Sequence, residues 1–272
     1  MGLTARDILS MVDGFAPFDL AENWDNSGLQ SGNLAWPVKK ILVSLDITLP
    51  VMEAAASWGA DLVLSHHPLM MNPEKRIDFG AMPGQAIAIS AREKICILSA
   101  HTNLDKALNG LNDHFAGIIG LENLVPFYSP PGSFPREEEP AGLGRIGDLG
   151  KNIRLKDLVE DVKKRLGLDR ARVTGDLEGE ISRVAVCTGS GGSLVQEFLD
   201  SSAQLYITGD LKYHDARQIQ AGGKASVDVG HFGSEIIAVD LLTQQLEQAG
   251  RKRGTSMEVK GFNREKDPFI IV

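Results

Sequence analysis

Apolar and polar positions first resolve into an amphipathic helix near the start of the chain. Ile8, Leu9, Met11 and Val12 recur at helical spacing behind Thr4 and Asp7, a hydroxyl-to-acid pairing that caps a helix start, and Gly14 closes the segment. The loop Glu22-Asn23-Trp24-Asp25-Asn26-Ser27-Gly28 follows. Beyond it, Lys40-Ile41-Leu42-Val43-Ser44-Leu45 is a short continuous apolar run, the pattern of a parallel strand buried on both faces. A helix is predicted from about Pro50 to Trp58, Gly59 stops it, and Leu62-Val63-Leu64 opens a second strand that runs into Ser65-His66-His67-Pro68. This is a βαβ unit. Residues 83–93 again read as helix, and Ile95-Cys96-Ile97-Leu98 as a third strand leading into Ser99-Ala100-His101-Thr102-Asn103-Leu104-Asp105.

From Pro126 to Gly150 the chain changes character. Pro-Pro-Gly, a Glu-Glu-Glu run and several glycines mark a loop or lobe boundary. Beyond it the first pattern returns: Ile41-Leu42-Val43 precedes Leu62-Val63-Leu64 by 21 positions, and Val184-Ala185-Val186 precedes Leu205-Tyr206-Ile207 by the same 21. The third strand recurs when Ile95–His101 is aligned with Ala225–His231, and each copy carries an acid four residues after its histidine, Asp105 and Glu235. The expected fold is therefore α/β, one domain over 1–272 made of two pseudo-repeated βαβ-type lobes, about 1–125 and 126–272. Open α/β sheets place ligands beyond the carboxyl ends of their strands, so the site is expected there, between the lobes.

Composition narrows the classes. The 272 residues are 43% hydrophobic and 24% charged, which excludes a disordered or fibrous chain. With 28 basic against 36 acidic side chains and a net charge of -8, a general grip on nucleic acid lacks electrostatic support, although a local patch for a small phosphorylated ligand does not. No apolar run reaches the roughly 18 residues of a membrane span, and the N-terminal residues have no leader pattern, so a cytoplasmic location is expected. Cys96 and Cys187 each sit in an apolar run and read as reduced, buried thiols.

Five of the six histidines, His66, His67, His101, His214 and His231, lie at or just after predicted strand exits, while His114 falls on a predicted helix. One histidine at a strand end is ordinarily a hydrogen-bonded surface residue. Five, together with Asp105 and Glu235, make the imidazole and carboxylate ligand set of Zn, Fe, Mn, Ni or Co. Adjacent residues at the end of an extended strand point in different directions, so His66 and His67 are expected to serve two divalent ions. Phosphate recognition is less legible. No P-loop is present. Gly189-Ser190-Gly191-Gly192-Ser193 is either a tight connection or a source of backbone N–H groups for an anion, with Lys106, Lys212 and Arg217 as charge partners.

These residues carry a family resemblance. Trp24-Asp25-Asn26-Ser27-Gly28-Leu29, Ser65-His66-His67-Pro68-Leu69, His101-Thr102-Asn103-Leu104-Asp105, Gly209-Asp210-Leu211-Lys212-Tyr213-His214 and Gly230-His231-Phe232-Gly233-Ser234-Glu235 occur in the order found in the Nif-three-like family, whose members are often named GTP cyclohydrolase 1 type 2 homologues. The likeness spans nearly the whole chain and is to the compact form without an inserted domain. Cys187-Thr188-Gly189-Ser190-Gly191 departs slightly from the family's Gly-Gly-Ser-Gly.

The resemblance implies that His66 and Asp105 hold one metal, that His67 and His231 hold the other, and that Glu235 bridges them. It implies a toroidal homohexamer, and hydrolysis of a nucleotide or related compound by hydroxide adding at C8 of a guanine ring, a cyclic amidine. His101 and His214 are then the candidates for moving the proton. The alternative class is a non-catalytic metal-binding scaffold, or a metal-handling or regulatory protein.

Overall fold

The first helix forms where its cap directs. The Asp7 carboxylate accepts from Thr4 N at 2.8 Å and from Thr4 Oγ1 at 2.7 Å at the start of α1 (Ala5–Phe15), which buries Ile8, Met11 and Val12. The computed structural model describes residues 2–128 and 141–270. After α1 come β1 (Gly28–Ser31), β2 (Lys40–Ser44), α2 (Leu49–Trp58), β3 (Leu62–Ser65), α3 (Gly84–Glu93), β4 (Cys96–Ser99) and the short α4 (Thr102–Lys106). Gly59 ends α2 with φ +71°, a left-handed conformation that glycine adopts without strain.

The second series is α5 (Leu111–Ile119), β5 (Glu122–Tyr128), β6 (Leu143–Arg154), α6 (Leu155–Leu166), β7 (Arg172–Thr174), β8 (Glu180–Ser190), α7 (Val195–Asp200), β9 (Leu205–Gly209), α8 (Tyr213–Ala221), β10 (Ala225–Asp228) and α9 (His231–Glu235). The chain then forms α10 (Ala238–Lys252) and β11 (Glu258–Gly261). Contacts divide it into two units, Met1–Ala107 with Ala238–Lys266, and Leu108–Ile237 with Asp267–Val272.

The first unit holds a five-stranded sheet in the order β1-β4-β3-β2-β11. Its strands β11, β2, β3 and β4 are parallel, and β1 closes the edge antiparallel to β4. Leu42, Val63 and Ile97 face Val51, Met52 and Ile89 of α2 and α3. Ile41, Leu62 and Leu64 on the alternate positions are fully buried as well, which accounts for the unbroken apolar runs. The second unit's sheet runs β5-β6-β8-β9-β10-β7 and has the parallel strands β8, β9 and β10 at its centre. Val184, Val186, Leu205 and Ile207 pack with Phe115, Leu158 and Val162, while Ala185, Cys187 and Tyr206 pack with Phe198 and Ile219.

The 21-residue repeat is thus a register: Ile41 pairs with Leu62, and Val184 with Leu205. The third strand needs a correction of one residue. Cys96 pairs with Leu62, and Ala225 with Leu205, so the equivalent of Ala225 is Cys96 and not Ile95. Hydrophobicity alone cannot register a strand whose two faces are both buried, and Ile95 before it is buried too.

The unit boundary also differs from the expected one. It falls after Ala107 instead of near residue 125, and Ala238–Lys266 rejoin the first unit. Pro126–Gly150 does not separate lobes. Its ends belong to β5 and β6, which pair with each other, and Pro126 is tolerated because β5 is an edge strand. The Pro-Pro-Gly and Glu-Glu-Glu segments lie outside the described residues. Neither cysteine forms a disulfide among the described residues, both are buried, and burial pushes the Cys96 thiol up to about 11.

Candidate metal centre

In the first unit the strands β2, β3 and β4 release the chain side by side, and each exit carries a side chain that matters. His66 and His67 follow β3, His101 and Asp105 follow β4, and Asp46 follows β2. His66 is fully buried, with its Nδ1 donating to the Ala100 carbonyl at 2.9 Å. His67 Nδ1 donates to Asp46 Oδ1 at 2.8 Å, and His101 Nδ1 to Asp25 Oδ1 at 2.8 Å. Ring centroids of His66, His67 and His101 lie 5.0 to 5.6 Å apart, and one ligand nitrogen from each falls within 4.8 Å of the others. Asp105 Oδ1 is 3.6 Å from His66 Nε2.

His66 and His67 converge where strand alternation would splay them. β3 ends at Ser65, so both residues lie past the pleat, and the Ser65 hydroxyl donates to the His67 carbonyl at 2.6 Å in a tight local turn.

Asp25 anchors this group from the loop before β1. Besides His101, its carboxylate accepts from Thr102 N and Oγ1, Ser27 Oγ and Asn26 N. Burial pushes its pKa up, but the hydrogen bonds from His101, Thr102 and Ser27 outweigh that effect and hold the carboxyl well below the usual carboxylate range.

The second unit builds the same device once. Asp210, after β9, accepts from His231 Nδ1 at 2.8 Å, and His231 Nε2 lies 2.9 Å from Glu235 Oε2 one helical turn on. In both units the aspartate stands 21 residues before its histidine, at the exit of the neighbouring parallel strand. Asp228, nearly buried, holds the surrounding loops: it accepts from Leu211 N and Gly230 N, each at 2.9 Å, and from Arg172. Glu235 is itself buried against Gly189. A Cβ on Gly189 would stand 2.1 Å from Glu235 Oε1, and Gly189 also has φ +64°.

Gly189, at the end of β8, is therefore what lets Glu235 approach, whereas Gly191 just beyond makes room for Thr208 and Tyr206. In this segment Gly189 N donates to Ser234 Oγ, and Gly191 O accepts from the Tyr206 hydroxyl. Of the basic residues considered for phosphate, Lys106 pairs with Glu22 at 2.7 Å, and Arg217 Nη1 donates to Gln220. Lys212 precedes α8 as its cap, where its backbone N–H donates to Asp215. His214 is exposed in the first turn of α8, its ring edge-on to Tyr213, and is in neither of the groups able to hold a metal among the described residues. His114 lies on α5, as expected.

The register correction reaches the site too. His101 is the residue before α4, whereas His231 is the first residue of α9, so the two His-x-x-x-acid motifs are offset by one position despite their identical spacing. The orienting carboxylates Asp25, Asp46, Asp210 and Asp228 were not singled out from sequence. The 21-residue spacing of Asp46 and Asp210 from their histidines was available there.

The donor set fits a divalent metal. All four imidazoles turn Nδ1 to an acceptor and leave Nε2 as the atom to offer a ligand, the arrangement typical of metal-binding histidines. Each unit thus brings oriented histidine and buried carboxylate side chains to the exits of its parallel strands, an α/β arrangement whose groups could hold a metal ion. The chain matches the family model Duf34/NIF3 (NGG1p interacting factor 3) over residues 3–268, and it belongs to that family.

A relative in Clostridium acetobutylicum named GTP cyclohydrolase 1 type 2 homolog is 30% identical over 269 residues, which cover 99% of each chain. The solved structure of a Bacillus cereus protein related to NIF3 matches with a TM-score of 0.89 and 26% identity, covering 99% of each chain. A Staphylococcus aureus hypothetical protein shares the fold over 100% of each chain, with a TM-score of 0.91 and 24% identity. No helix among the described residues is long and apolar enough to cross a membrane.

Proposed function

We propose that this protein holds two divalent metal ions through His66, His67, Asp105, His231 and Glu235 and hydrolyses a nucleotide or a related cyclic amidine. The observation that carries the reading is the uniform Nδ1 anchoring of His66, His67, His101 and His231, which aims a basic nitrogen from each at a ligand. Bound there, a pair of divalent ions supplies Lewis acidity and lowers the pKa of water toward neutrality. His101, oriented by Asp25, takes or gives a proton at Nε2, with Asp25 stabilising the protonated ring. His214 is the second candidate for proton transfer. The name of the Clostridium acetobutylicum relative supports a purine nucleotide as the first substrate to try.

Metal content per chain, measured by elemental analysis, tests the proposal. Wild type should carry close to two ions and Glu235→Ala markedly fewer. Near zero in the wild type after reconstitution with Zn, Mn and Fe would sink it. Hydrolysis that survives in Asp105→Ala would separate the metals from the chemistry and leave a metal-binding scaffold.

A further inference from the structure

The loop that orients His101 also holds an indole out in solvent. Trp24 exposes 62% of its surface, while the side chain of the next residue, Asp25, is fully buried. Folding gains little from an aromatic ring left in this state, and a single exposed aromatic would ordinarily need no explanation. This one is held unusually firmly. Asp25 is tied to His101, Thr102, Ser27 and Asn26 N, Asn26 Nδ2 donates to the Met70 carbonyl at 2.6 Å, and Ser27 Oγ bonds Asn103 at 3.0 Å. Ahead of Trp24 in the chain, the Glu22 amide donates to Thr102 Oγ1 at 2.9 Å. The backbone that carries Trp24 is thus held on both sides by the bonds of its neighbours.

Its position is equally specific. The indole centroid is 6.1 Å from that of His101, with the planes at 74°, so His101 covers one side at most and a flat face stays open. His101 in turn stands 5.2 Å from His66 and 5.6 Å from His67, ring centroid to ring centroid. A rigid aromatic face beside convergent polar donors is the composition of a ligand wall, in which the ring supplies area and the donors supply orientation.

We propose that Trp24 is the platform on which a planar heteroaromatic ring of the substrate stacks, next to the three-histidine group. The proposal deepens the hydrolase reading and rests on it for the chemistry that follows binding. A neutral ring suits this wall better than an anionic group does, because Asp25, Asp46 and Asp105 all lie around the histidines. The same loop then couples two tasks: Asp25 orients His101, and Trp24 sets where the ring lies.

The test is equilibrium binding of guanosine, with ribose as the ring-free control, to metal-containing wild type, Trp24→Phe and Trp24→Ala, with metal content and molecular size measured on all three. Guanosine should bind and ribose should not. Trp24→Ala should weaken guanosine binding by about 5- to 150-fold, the range of one base–aromatic stack, and Trp24→Phe should keep most of it. Guanosine should quench tryptophan emission in the wild type and far less in Trp24→Phe.

Equal affinity in wild type and Trp24→Ala would overturn the platform. So would failure of the wild type to bind guanosine, adenosine or a pterin. Loss of metal, or a change of molecular size, in Trp24→Ala with guanosine affinity otherwise retained would assign the ring to support of His101 or to a subunit contact, and would overturn it as well. Trp24-dependent guanosine binding by a wild type that takes up no metal would leave the platform standing and sink the metal reading instead.

Discussion

Gly189 shows how much one hydrogen atom in place of a methyl group controls at this site. Its φ of +64° lies where an L side chain is strained by about 1–2 kcal/mol, and the missing Cβ is what admits the Glu235 carboxylate. Gly189→Ala should therefore lower stability by at least about 1 kcal/mol in urea unfolding and also reduce bound metal. Gly59 supplies the control, because it has φ +71° and nothing within 4 Å of a built Cβ. Gly59→Ala should show the strain and keep the metal. If both variants retain full metal, Gly189 is only a turn and the cradle for Glu235 is not required. The hydrogen bonds of Asp25, Asp46 and Asp210 belong to this scale as well. Sequence brings His101 and Asp25 no closer than 76 residues, and only the fold places them 2.8 Å apart.

At the scale of elements, the second sheet depends on an ion pair hidden in a stretch that reads as loop. Arg145 of β6 is almost wholly buried, with Nε and Nη2 donating to the two Asp113 oxygens of α5 at 2.6 and 2.8 Å. Its Nη1 donates to the carbonyls of Gly142 and Gly144. Removing one partner of such a pair leaves the other charge buried and uncompensated. Arg145→Ala should lower the unfolding free energy by about 3–5 kcal/mol, seen as a lower urea midpoint at unchanged slope. A loss under 1 kcal/mol would mean that Asp113 finds water or another donor, and that the helix-to-strand clamp is not needed.

The central strands of both units were legible because parallel strands covered on both faces are written as short continuous apolar runs. The edge strands β1, β7 and β11 were not. Each is three or four residues long with mixed burial, so its only reason to be a strand is a partner distant in sequence. The segment β5–β6 was missed for the opposite reason. Its glycines and Pro126 are turn signals in isolation, yet Gly144 and Gly147 are needed where neighbouring backbone and side chains come within 3 Å of a built Cβ.

For the molecule as a whole, the proposed ligands are widely separated in sequence, with His66, His67 and Asp105 in the first unit and His231 and Glu235 in the second. Metal that binds the folded state alone stabilises it by mass action, about 2.7 kcal/mol at a free concentration one hundred times the dissociation constant. In calorimetry, metal-loaded wild type should melt several degrees above the same protein stripped with chelator, and Glu235→Ala should lose most of that difference. Identical melting of loaded and stripped wild type would mean that the ion does not distinguish folded from unfolded chain, which is incompatible with a site built by the fold.

Sequence by itself determined the parallel strands, their 21-residue pairing, the histidines at their exits and the family, because burial on two faces and ligand chemistry both leave local marks. Tertiary structure alone decided which aspartate orients which histidine, the one-residue offset between His101 and His231, the convergence of His66 with His67, and the return of α10 and β11 to the first sheet. Those features depend on hydrogen bonds and registers between residues far apart in the chain, and a pattern of neighbouring residues contains no term for them.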